Sequence, residues 1–161
     1  MPPRQIVYAL IVFLHDLFTV VWIGGLVSLS LFVLPSAIHL WGRGPEARGL
    51  MDGIQRRLRV AVYVSIVGLL LTGILMSRRN PAFTGLFSVG NTYSAILAAK
   101  HIAVLSMVVV ALVRSVLLGR RQGPRIERLK VAMLMLNTAL GVLVLLLSAF
   151  NAALSAGAPP A

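Results

Sequence analysis

Four apolar runs, at residues 6–34, 58–77, 93–118 and 129–155, fill most of this 161-residue chain. A membrane-spanning helix needs about 20 predominantly apolar residues, so each run is long enough to cross, and the longer ones can tilt or project into the interface. Lipid offers no partner to an open backbone N–H or C=O, so these runs must be helical. A hydrophobic content of 58% and a mean hydropathy of +0.93 exclude an ordinary soluble domain. The expected fold class is all-α: one integral membrane four-helix bundle spanning residues 1–161. The first run is not expected to be a signal peptide. Its apolar stretch exceeds an h-region of about 7–15 residues and reaches Pro35-Ser36 without a cleavage pattern.

Local breakers set the expected boundaries. Pro35 should stop the first helix, because it lacks a donor and clashes with the preceding turn. Trp41-Gly-Arg-Gly-Pro-Glu reads as a turn, with a short interfacial helix over 46–57. Asn80-Pro81, Gly85 and Gly90 punctuate the loop between the second and third helices, and Gly123-Pro124 marks the turn before the fourth.

The formal charge of +11 invites a nucleic-acid reading, but its distribution argues otherwise. Arg43, Arg48, Arg56, Arg57 and Arg59 follow the first run. Arg114, Arg120, Arg121, Arg125, Arg128 and Lys130 follow or end the third. Eleven of fifteen cations thus fall on one side, the pattern of cytoplasmic loops. The other side has Arg4, Arg78 and Arg79. The expected location is the cell (inner) membrane, with both termini outside and the basic loops cytoplasmic. The lipid bilayer is the expected partner, with generic attraction to anionic headgroups, and nucleic acid is not expected.

Against this apolar background, four residues stand out: His15 with Asp16 in the first run, and His101 with Lys100 in the third. Ionisable groups within a span cost a few kcal/mol or more unless paired or used, so they are functional candidates by default. His15 lies nine positions past Ile6 and His101 eight past Tyr93. At 1.5 Å per residue, these are depths of about 13 and 12 Å from the same side. Asp16 and Lys100 come to the same level, where an ion pair would let both stay charged.

Helical spacing groups His15, Thr19, Trp22, Leu26 and Leu29 on one face of the first helix. It groups Ser65, Gly68, Thr72 and Met76 on the second, and Asn137, Gly141, Val144, Ser148 and Asn151 on the fourth. Small and weakly polar residues suit close helix packing and hydrogen bonds between helices in lipid. The alternative is that Gly68, Thr72, Gly141 and Ser148 make room for a flat group.

Three readings stay open for the histidines. Each could bond a neighbouring helix with no ligand. The two could be axial ligands of a haem held between helices. Or they could bind copper with Met76 or Met107 as softer ligands, although the methionines form no clear ladder. The chain has no cysteine, which removes thiolate sites and disulfides. His39, beyond Pro35, reads as an interfacial residue.

Leu14-His-Asp followed by Trp22-Ile-Gly-Gly resembles the first helix of CopD-type copper-resistance membrane domains. The Arg-rich approach to the second helix, Leu70-Leu-Thr-Gly-Ile-Leu, and the 93–100 segment resemble the same family. These features are also similar to HemJ-type protoporphyrinogen oxidases. That resemblance implies haem b held by a histidine of the first helix and a lysine of the third, positions matched by His15 and Lys100. His101 departs from both patterns and is what permits bis-histidine ligation. The combined expectation is a b-type haem protein, with His15 and His101 as metal ligands and Asp16, Lys100, Trp22, Gly68, Thr72, Gly141 and Ser148 around the cofactor. The haem propionates would pair with Arg78 and Arg79. Electron transfer with a redox partner or quinone is the expected role. Copper uptake, oxidase activity and a homo-oligomer are open alternatives.

Overall fold

The computed structural model describes residues 2–79, 85–119, 121 and 123–156. The Asn80-Pro81 breaker, Arg120 and the tail after Ala156 lie outside the described residues. The fold is all-α, with no strand among the described residues. Four helices are long and apolar enough to cross a membrane, with mean hydropathies of 2.2 to 2.4: α1 (Pro3–Trp41), α2 (Pro45–Ser77), α3 (Thr92–Leu117) and α4 (Pro124–Ala156). Leu10, Phe13, Leu17, Val20, Leu71, Leu105 and Leu146 are among many large apolar side chains left exposed. A surface that apolar is a liability in water and is at home in lipid. The chain is a membrane protein.

The helices form two compact units, Met1–Ser77 and Arg78–Ala161. In the first, α1 packs along α2 after a tight turn whose Gly42 takes φ 64°, a left-handed value that a side chain resists. In the second, α3 packs along α4. Asn91 starts α3 by accepting the Ser94 N–H at 2.7 Å, satisfying an amide that has no partner within the helix.

Three boundaries differ from expectation. Pro35 does not end α1, which continues to Trp41. Two π-helical turns interrupt α1, at Val20–Gly24 and Leu29–Val33. Pro35 falls just after the second, in the first turn of the resumed α segment Leu34–Trp41, where no N–H is demanded of it. The interfacial helix at 46–57 and the second span are one rod, because nothing between Pro45 and Ser77 breaks it. Likewise α4 starts at Pro124, where proline at the first helical position is tolerated.

The buried faces agree with helical spacing. Trp22, Leu26 and Leu29 are buried on α1, Ser65 and Thr72 on α2, and Asn137, Gly141, Val144 and Asn151 on α4. The hydroxyls on these faces mostly serve their own helices. Ser65 donates to the Ala61 carbonyl at 2.8 Å, Thr138 to Leu134 at 3.0 Å and Ser148 to Val144 at 2.7 Å. Bonding four residues back satisfies a hydroxyl where lipid provides nothing.

Candidate functional site

The first unit places His15 against α2. Its Nδ1 lies 2.8 Å from Thr72 Oγ1. The Thr72 hydroxyl in turn donates to the Gly68 carbonyl at 2.6 Å. A hydroxyl has one proton, and a carbonyl can only accept. With that proton directed to Gly68, Thr72 Oγ1 must accept from His15, so Nδ1 carries the imidazole proton and Nε2 is the acceptor nitrogen. The ring lies beside Gly73, where an added Cβ would meet His15 Cε1 at 3.7 Å. Thr19 donates to the His15 carbonyl at 2.8 Å, tying down the next turn.

Gly68 permits this approach. A Cβ at that position would fall within 2.6 Å of Phe18 Cζ and nearer still to Cε2 and Cδ2. The missing side chain is therefore filled by the Phe18 ring, which lets α1 and α2 close together one turn from the histidine. Sequence spacing places Gly68 and Thr72 on one face, but Phe18 was not among the candidates. An aromatic residue three positions after a histidine, facing a Gly-x-x-x-Thr step, is the signal that was available.

The second unit holds His101. Its Nδ1 lies 2.7 Å from the Leu97 carbonyl one turn back on α3. Since that oxygen only accepts, Nδ1 again carries the proton and Nε2 is again the acceptor. Phe87 sits over the ring, with centroids 6.1 Å apart and planes inclined by 60°. Lys100, its neighbour, is half-buried.

The other candidates divide by unit. Trp22 is buried to 2% exposure in the first π turn of α1, and its Nε1 has no hydrogen-bond partner. Asp16 is exposed on α1 between Phe13, Leu17 and Val20. Arg78 and Arg79 are exposed just past the end of α2. On α4, Gly141 is buried and Ser148 half-buried, while the buried Asn137 and Asn151 each keep an Oδ1 without a partner. His39 is exposed and lines an open cavity of about 430 Å³ with Pro35, Ser36 and Leu40.

No group of three or more His, Asp or Glu side chains with metal-binding placement occurs among the described residues. Two of the three imidazoles, His15 in the first unit and His101 in the second, have Nδ1 held against a protein oxygen. The chain matches no protein-family model, no curated protein and no solved structure with which it was compared.

Proposed function

We propose that this chain is a membrane b-type haem protein, with His15 and His101 each supplying one axial nitrogen and electron transfer as its role. The observation that carries this reading is the placement of both Nδ1 atoms against protein oxygens, at 2.8 Å for His15 and 2.7 Å for His101. With Nδ1 donating in each neutral ring, Nε2 is left as the acceptor nitrogen. A metal-ligating histidine characteristically donates its other N–H in this way, which orients the ring and raises its basicity. The buried Trp22 Nε1 adds a donor that an acceptor on a bound group would satisfy. Haem bound through two imidazoles supplies one-electron chemistry and has no open position for oxygen or substrate. Asp16 and Lys100 would then act through charge, and Arg78 and Arg79 through carboxylate pairing. The resemblance to CopD-type and HemJ-type membrane domains supports a metal or tetrapyrrole site in the first and third helices.

The purified protein should show the sharp low-spin spectrum of haem b, changing on dithionite reduction. A colourless protein with stoichiometric copper would select metal transport instead. Rapid reduction of the haem by added protoporphyrinogen would point to an oxidase.

The proposed orientation puts the basic loops in the cytoplasm and both termini outside. Reporters fused at Gly49 and Gly123 should behave as cytoplasmic, and one at Gly85 as external. The reverse pattern would invert the protein without altering either histidine's surroundings.

A further inference from the structure

Each histidine's tautomer is fixed, but by different means. His101 donates to a backbone carbonyl of its own helix, which no substitution removes. His15 donates across to a side chain, the buried Thr72 of α2. We infer that Thr72 is a positioning residue for His15: its hydroxyl, anchored on the Gly68 carbonyl, holds the imidazole as the Nδ1–H tautomer and so presents Nε2 as the ligating nitrogen.

First, the anchor is directional. The 2.6 Å bond to Gly68 uses the only hydroxyl proton and turns a lone pair toward His15. Second, the reach depends on close packing. The Phe18 ring occupies the space above Gly68, which brings α1 near enough for the 2.8 Å contact. Third, the direction of the effect is defined. An N–H that donates leaves more electron density on the opposite nitrogen, which favours a metal's oxidised state. Thr72 is thus more than a helix-interface hydroxyl of the kind seen at Ser65, which bonds backward along its own helix.

The tautomer can be read without any cofactor, so this test separates the inference from the haem reading on which its ligation part rests. The chain has only three histidines, and ¹⁵N chemical shifts of the haem-free protein at alkaline pH, assigned with His39→Gln and His101→Gln, report each ring. His15 should be Nδ1–H in the wild type and in Thr72→Ser. Thr72→Val, which keeps the shape and removes the hydroxyl, should shift it to Nε2–H or a mixture, with His101 unmoved. An unchanged His15 tautomer in Thr72→Val would overturn the inference. So would an Nε2–H wild type, a result that needs no variant to fold.

Titration with hemin supplies the second arm. Thr72→Val should bind about 10- to 100-fold more weakly, the usual loss when a metal ligand's supporting partner is removed. Its midpoint potential should rise, while Thr72→Ser stays near the wild type. Equal weakening in Val and Ser would reduce Thr72 to a packing role and overturn the inference. A tautomer that responds as expected in a protein that takes no hemin would sustain the positioning role and remove the haem reading alone.

Discussion

Alanine in place of either His15 or His101 should convert a six-coordinate low-spin haem into a five-coordinate high-spin one. Among the described residues no group of three or more metal-binding side chains accompanies either proposed ligand. The sharp reduced bands should be lost, and much of the haem should dissociate on dilution. Imidazole added to the alanine variants should restore the low-spin spectrum, because it supplies the nitrogen without the side chain. Lys100→Ala discriminates between neighbours. Lys100 is the position that the HemJ resemblance points to, whereas His101 has the acceptor nitrogen already set by Leu97. A spectrum that collapses with Lys100→Ala and survives His101→Ala would move the second ligand by one residue. Since consecutive residues on a helix point about 100° apart, only one of the two can face a given ring.

The second large effect should come from a single methyl group. At Gly68, alanine drives a Cβ into the Phe18 ring, with the nearest three carbons all at 2.6 Å or less. At Gly73, one turn and a half along the same helix, the Cβ would meet His15 at 3.7 Å, an ordinary contact. Both substitutions gain about 1 kcal/mol of helix propensity, so their difference isolates the collision. Overpacking of this kind costs about 1–3 kcal/mol. Gly68→Ala should therefore lower the melting temperature in detergent relative to Gly73→Ala, and the Gly68→Val variant should lower it further. Combining Gly68→Ala with Phe18→Leu should cost less than the sum of the two changes, because the smaller side chain vacates the disputed space. Simple additivity would mean that α1 and α2 do not close at this level.

Gly68 also shows where sequence reasoning stops. Its place on a face with Ser65 and Thr72 follows from 3.6 residues per turn, and the structure puts Ser65 and Thr72 among the buried residues of α2. What fills the space beside it could not be read that way, because helical periodicity describes a face and not the neighbour pressed against it. Phe18 is that neighbour. The same limit applies to Pro35. Local rules make proline a helix terminator, but the π turn at Leu29–Val33 places it where its missing N–H does no harm, and α1 continues for six more residues past it to Trp41.

Four spans and their apolar lipid-facing surfaces were legible from composition and period, since the bilayer imposes length and hydropathy on any chain that crosses it. His15 and His101 stood out for the same reason, because a titratable ring within a span is expensive. The state of those rings was not legible. Which nitrogen carries the proton depends on the atom opposite it, and those atoms are Thr72 Oγ1 from another helix and the Leu97 carbonyl one turn back. Hydropathy sets where a helix runs. Only packing decides that the Thr72 hydroxyl, with its proton committed to Gly68, turns a lone pair toward His15.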